Sequence, residues 1–314
     1  MLLELSAPQT LLVGAVALVV ALWLVYSPSS TTDTVSEHYG LFHLALNRLP
    51  DGPSPPVTEW LNMGFWREET LFPRACRALA QNLVVAAAIK PNANILDVGF
   101  GTGESILFLL SDPDVPQPKK ITGITNVSAQ CERAKRRVAN AWPQFAEGAE
   151  QRVFLYTADA ICDGSQDHPL SSPDTDSSFD AVLALDCAYH FNTRWRFLHQ
   201  SFSKLTPGGR IALADICFAP QGLSSLKTRL VTSTLRMMPM HNRTTVLEYR
   251  TRMQDAGFED IVIENITSDV FPRFIQFLKR QGWNWWIFGT ILQIYVSTGC
   301  QYVVVSGRKP CSSN

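Results

Sequence analysis

The chain has 314 residues, with 27 Lys and Arg against 28 Asp and Glu and a net charge of −1. That length fits one α/β core with an appendage rather than two full domains, and a balanced charge without a long basic run leaves no electrostatic footprint for nucleic acid. Charged residues make up 18%, below the ~25% of an average soluble domain, and the deficit is concentrated in two stretches.

The first stretch opens the chain. No charged side chain occurs from Leu5 to Thr32, and Leu11 to Tyr26 is an almost unbroken apolar run. With no Lys or Arg before it and no small-residue cleavage site behind it, the run fits a retained transmembrane anchor better than a secretory signal; a buried N-terminal helix is the alternative. Residues 1–32 are therefore expected to be an anchor and 33–70 a tether and covering segment, broken by the Pro-rich run at 50–56 and carrying a short helix near Tyr39 to Leu49. Seven scattered cysteines with no C-x-x-C pair exclude a zinc knuckle or a disulfide framework, so no metal is expected and a reducing compartment is implied.

From Leu71 to Ile89 apolar residues recur at helical spacing, ended by Pro91. Short apolar runs then alternate with helical patterns. Strands are expected at Asn94–Val98, Lys120–Ile124, Val153–Thr157, Ala181–Leu185, Ile211–Asp215, Asp260–Ile266 and Tyr302–Ser306, and helices at Glu104–Leu110, Ala129–Ala141, Trp195–Lys204 and Thr244–Ala256. This alternation implies a Rossmann-like, doubly wound α/β fold with a mostly parallel seven-stranded sheet over 71–314. The second uncharged stretch, Gln281 to Gly307, contains Trp283, Trp285 and Trp286. It suits a membrane interface or a lid over the acceptor, within an insertion at 216–299, or equally a helix packed on the sheet edge.

The most informative residues are Asn94-Ile-Leu-Asp97-Val-Gly99-Phe-Gly101-Thr-Gly103-Glu104. A strand, an acid at its end, three alternating glycines and a helix let a ligand lie against bare backbone. A dinucleotide fingerprint requires G-x-G-x-x-G and fails at Glu104, which disfavours a nicotinamide oxidoreductase. The D-x-G-x-G-x-G form resembles the first motif of class I S-adenosylmethionine-dependent methyltransferases. The resemblance continues through Ser178-Phe-Asp180 and Leu205-Thr-Pro-Gly208-Gly209, over about 94–215. It implies S-adenosyl-L-methionine as cofactor, with Asp97, Gly99, Gly101 and Gly103 at its methionine end.

After the second strand, Gly123-Ile-Thr125-Asn-Val-Ser128-Ala-Gln130 lacks the usual ribose-binding acid. It looks like the branch of cyclopropane fatty acid synthases, phosphoethanolamine methyltransferases and plant alkaloid N-methyltransferases, which implies that Thr125 and Gln130 meet the ribose; Ser128 serves equally as a helix cap. Thr157-Ala-Asp159-Ala160 resembles the motif near the adenine amino group, with a surface turn as the alternative. Upstream, Trp60-Leu-Asn62-Met-Gly64-Phe65-Trp66 looks like the covering segment of sterol, tocopherol and macrolide sugar methyltransferases. Phe65 and Trp66 either face the sulfonium by cation–π attraction or simply pack.

Downstream of the fourth strand, Asp186-Cys-Ala-Tyr189-His190 places a His where cyclopropane synthases and sterol methyltransferases have one facing the acceptor. His190 is the candidate base and Asp186 the residue to orient it, against a purely structural His. Tyr189 stands where many relatives have Glu, which speaks against bicarbonate-assisted cyclopropanation. Sequons begin at Asn126, Asn242 and Asn265, and a glycan at Asn126 would fill the expected cofactor pocket, so the domain is expected in the cytosol. The sequence thus points to a single-pass membrane methyltransferase, at the endoplasmic reticulum, acting on a lipid or apolar small molecule. O- or N-methylation of a specialised metabolite and a non-catalytic cofactor-binding scaffold are the alternatives.

Overall fold

The computed structural model describes residues 41–311 except 149, 166, 172–177 and 236–237. Seven strands form one sheet: β1 (Asn94–Val98), β2 (Lys120–Thr125), β3 (Val153–Thr157), β4 (Phe179–Leu185), β5 (Leu205–Phe218), β6 (Glu259–Asn265) and β7 (Cys300–Arg308). Their order is β3-β2-β1-β4-β5-β7-β6. β1 to β5 run parallel, and β7 is antiparallel to both β5 and β6. The central strands are apolar on both faces because both are covered: Ile95, Ala181, Ala212 and Ala214 point into one core, and Leu96, Val182, Ile211 and Leu213 into the other. β6, at the edge, alternates half-buried with exposed positions.

Helices α1 (Phe72–Ala86), α2 (Glu104–Ser111) and α3 (Ser128–Ala141) contribute to the first core. The second is covered by α4 (Arg194–Lys204) and, after the marginal α5 (Leu226–Leu235), by α6 (Val246–Asp255). Thr193 and Thr245 cap α4 and α6, their hydroxyls accepting from the N–H of Arg196 and Glu248 at 3.2 Å. β5 runs from 205 to 218, well beyond the expected five residues, because it pairs with β4 on one side and with nine residues of β7 on the other.

The connection from β6 to β7 is a helical hairpin, α7 (Thr267–Lys279) and α8 (Trp283–Val296). Phe271, Phe274, Leu278, Trp285 and Leu292 drive its apolar side into the first core. Of the three expected interfacial tryptophans, Trp285 is buried, edge-on to His43 at 5.2 Å, and Trp283 and Trp286 are exposed. The packed-helix alternative describes this segment.

The expected anchor at 1–32 lies outside the described residues. Among the described residues no helix is long and apolar enough to cross a membrane, and α8, the most apolar, has only 14 residues where ~20 are needed. The expectation of a single-pass membrane protein with a cytosolic domain at the endoplasmic reticulum is corrected by this finding.

Candidate active site

The strand order reverses direction between β1 and β4, and in open α/β sheets the crevice outside the carboxyl ends at such a point is where ligands bind. Two chain segments meet there. Gly99, leaving β1, adopts φ +82°, and a Cβ on it would stand 2.5 Å from Cys187 Sγ, which leaves β4. Gly101 follows at φ +56°, its Cβ position 2.9 Å from Leu61 Cδ1 of the segment that lies over the loop. Any side chain at these positions pushes the loop, the β4 exit or the cover apart. Gly103 then begins α2.

Asp97 does not open to this crevice. It is 1% exposed and accepts a 2.5 Å hydrogen bond from Ser105 Oγ on the first turn of α2, so it fixes the loop from beneath. Burial pushes its pKa up to about 6, the Ser105 hydrogen bond opposing the rise.

On the other side of the loop, Thr125 ends β2, and its carbonyl accepts from Ala158 N at 2.9 Å. This brings the β2 and β3 exits together, with Thr125 and Ala160 buried, Gln130 half-buried on α3 and Asp159 exposed. Asp159 Oδ1 accepts from Ile161 N at 2.9 Å, a local turn that fixes the carboxylate at the rim.

The segment 58–66 is pinned across the crevice by contacts that no sequence motif announced. The Glu59 carboxylate takes both guanidinium bonds of Arg133, at 2.7 and 2.6 Å, and its carbonyl accepts from Thr102 Oγ1. Glu104 accepts from Glu59 N at 2.8 Å and pairs with Arg137. Burial alone would raise the Glu59 pKa, but the Arg133 hydrogen bonds and the charges of Arg137 and Arg133 bring it below its ordinary value. Arg133 and Arg137 are one turn apart on α3, and that spacing was the available signal.

The two aromatic candidates in this segment differ. Trp66 is 2% exposed, with Phe277, Phe72 and Phe274 at ring distances of 5.4 to 6.4 Å and its Nε1 donating to Met63 O. It packs in the first core, the second of the two readings left open for this aromatic pair. Phe65 is half-buried, with the Arg67 guanidinium 4.9 Å from its ring centre.

At the β4 exit Asp186 adopts φ +59°. Its Oδ2 accepts from Met63 N at 2.8 Å and its Oδ1 from Tyr189 OH at 3.1 Å. Both oxygens are thus engaged by the covering segment and by Tyr189. Burial raises the Asp186 pKa to about 7; opposing it are Tyr302, whose hydroxyl lies outside strict hydrogen-bond geometry, and the Met63 and Tyr189 bonds. His190 ends the short turn Ala188–His190, its ring 4.3 Å from that of Tyr189. It is exposed, yet surrounding protein pushes its pKa down to about 4 against the pull of Asp215. At neutral pH its imidazole is therefore uncharged, and it is a weak base.

A cavity of about 720 Å³ lies elsewhere, among Asn265, Thr267, Phe271, Ile275 and Gln293 at the end of β6, and includes none of these candidates. The crevice suits S-adenosyl-L-methionine: the glycine crest stands at the switch point, Thr125 and Asp159 lie at the adjoining strand ends, and Met63 N fastens the Asp186 carboxylate at the β4 exit.

Comparison with known proteins agrees. Residues 67–263 match the family described as "Methyltransferase domain". The chain is 28% identical to 27-O-demethylrifamycin SV methyltransferase of Amycolatopsis mediterranei, over 71% of this chain and 75% of that protein. It is 26% identical to erythromycin 3''-O-methyltransferase of Saccharopolyspora erythraea, over 71% and 69%. The fold is similar to that of geranyl diphosphate C-methyltransferase from Streptomyces coelicolor, solved with S-adenosyl-L-homocysteine, at a TM-score of 0.57 and 19% identity, covering 76% of this chain and 82% of the other.

Proposed function

From the premise that this chain belongs to the methyltransferase-domain family and is an S-adenosyl-L-methionine-dependent methyltransferase, we propose that it methylates a hydroxyl oxygen of a small specialised metabolite. The observation that carries the reading is the neutral, accessible His190 at the β4 exit, beside a crevice covered by the 58–66 segment. The rifamycin and erythromycin O-methyltransferases among its relatives support oxygen as the acceptor atom. Action on a lipid at a membrane surface, the first expectation, has no support in the described chain.

When bound, the cofactor supplies a methyl group already activated by its positive sulfur, so alignment and exclusion of water provide most of the rate. Gly99 and Gly101 let the ligand approach the backbone, Thr125 and Gln130 stand where a ribose is held, and Asp159 and Ala160 shape the adenine end. Glu59 and Asp186 fasten the cover and keep water out. A ring nitrogen of His190, uncharged at neutral pH with its pKa down to about 4, accepts a hydrogen bond from the hydroxyl; so weak a base takes the proton only as methylation turns that oxygen into a strongly acidic oxonium. Asp97 supports the loop from below.

The test is turnover with cofactor labelled in the methyl group, offered paired hydroxyl and amine forms of macrocyclic, glycosidic and phenolic acceptors. Label recovered as an ether, and lost in His190→Ala, supports the reading. Label on nitrogen or carbon, or full turnover in His190→Ala, overturns it. Cofactor binding with no transfer to any acceptor favours the scaffold alternative.

A further inference from the structure

We propose that Asn242 is a positioning residue that holds the turn carrying His190 at the acceptor side of the crevice; the proposal rests on the reading of His190 given above. The turn Ala188–His190 has three residues, too few to hold itself in place. Asn242 is fully buried, and its Nδ2 donates to the carbonyls of Tyr189 at 3.0 Å and Phe191 at 2.6 Å, one on each side of His190. Its Oδ1 accepts from Arg194 N at 3.1 Å. Both amide protons and the amide oxygen are therefore committed, a combination of two donors and an acceptor that Asp, Ser and Ala lack.

The clamp is anchored in turn. The Asn242 carbonyl accepts from the Arg194 guanidinium. That guanidinium also donates to Asp215 Oδ2 at 2.7 Å and to the carbonyl of Ile216 at 3.1 Å, both on β5. Tyr249 OH closes the group on Asp215 at 2.7 Å, and Arg194, Asp215 and Tyr249 are all fully buried. Two residues on, the Thr244 carbonyl accepts from Phe218 N at 2.8 Å. A continuous path of hydrogen bonds thus runs from the rigid centre of the sheet to the peptide groups flanking His190. It also assigns a role to the Asn242-Arg-Thr sequon: the amide nitrogen that a glycan would need is buried and spent on the clamp.

The geometry singles out His190 rather than the cofactor loop, and an experiment separates the two. The ring-proton signal of His190, assigned by its loss in His190→Phe, is followed by NMR in wild type, Asn242→Asp and the smaller Asn242→Ser, each alongside calorimetric titration with S-adenosyl-L-homocysteine. Asn242→Asp keeps the acceptor for Arg194 N and removes both donors. The expected result is a His190 signal displaced by more than its linewidth in both variants, with S-adenosyl-L-homocysteine affinity within about threefold of wild type. A His190 signal unmoved in either folded variant overturns the proposal, since a merely structural Asn lowers the melting temperature without moving the ring. Loss of S-adenosyl-L-homocysteine binding in the variants alone overturns it too, by placing the effect on the cofactor side. Loss in wild type withdraws the cofactor reading itself, and the proposal with it.

Discussion

Met63 donates its backbone N–H to Asp186 Oδ2 at 2.8 Å, joining residues 123 positions apart in sequence. The bond fastens the segment over the crevice directly to the exit of β4. Asp186 therefore reports on closure and charge together: its carboxyl carries a pKa near 7, and S-adenosyl-L-methionine, proposed for this crevice, carries a cationic sulfonium.

Removing that carboxylate is expected to weaken cofactor binding more than it weakens the fold. In Asp186→Ala the Met63 N–H loses its acceptor, and loss of a hydrogen bond to a charged group costs about 1.5–3 kcal/mol, so affinity should fall at least about tenfold by calorimetry. In wild type, affinity for S-adenosyl-L-methionine should rise as pH passes upward through about 7, because the proton then leaves Asp186. Asp186→Asn should flatten that dependence, and S-adenosyl-L-homocysteine, lacking the sulfonium charge, should show less of it. A pH dependence unchanged in Asp186→Asn would assign it to another group.

The second fastening is ionic. Glu59 is mostly buried against Arg133 and Arg137, whose side chains are 37% and 17% exposed, so part of its effect is screened by solvent. Glu59→Gln should cost about 1–2 kcal/mol in stability and speed tryptic cleavage at Arg67, because the cover opens before the core unfolds. Since the Glu59 pKa is held below its ordinary value, its contribution is present above the unfolded value near 4.3 and is lost as pH falls through the folded value. Equal cleavage rates in variant and wild type would show that Glu59 does not fasten the cover.

The sheet was legible because β1, β2, β4 and β5 are apolar runs whose neighbours alternate between two cores, a pattern set by the strand period of two. The glycine loop was legible for the same local reason. What was hidden depends on pairing at long range. Trp66 reads either as a face for the sulfonium or as a packing ring until α7, two hundred residues on, brings Phe274 and Phe277 against it. The hairpin α7–α8 reads equally as an interfacial stretch or a packed helix, because its composition is that of any buried helix. Asn242 reads as a sequon, since nothing local reveals that its amide faces the 189–191 peptides.

Two glycines in one loop should fail in different ways. Gly101 faces Leu61, a side chain able to move, and Asp tolerates its left-handed backbone better than most residues. Gly101→Asp should therefore fold while losing at least about tenfold in cofactor affinity. At Gly103 an added Cβ stands 2.7 Å from Ala134 Cβ on α3, at φ +90°, where neither neighbour has a flexible end to withdraw. Gly103→Ala should lose roughly 2–3 kcal/mol in denaturant titration. If Gly101→Asp bound the cofactor normally, the crevice would be misplaced.

Asp97 allows the support role to be separated from any direct contact with the cofactor. Its pKa is near 6 in the folded protein and about 3.9 in an unfolded chain, so between those values the folded state holds a proton that the unfolded state has lost. Stability from this group is then fullest below about pH 4 and is lost as pH rises through 6, a decline of roughly 3 kcal/mol at about 1.4 kcal/mol per unit. Asn has nearly the same shape and keeps an oxygen for Ser105 Oγ, but it has no carboxyl proton to lose. Asp97→Asn should therefore match wild type near pH 4 and exceed it above pH 6 in urea titration. Taking the difference between the two proteins at each pH cancels the opposite trend from Glu59, which both share. A difference that does not change with pH would mean that Asp97 is not desolvated in the folded state, and that its carboxylate faces the crevice after all.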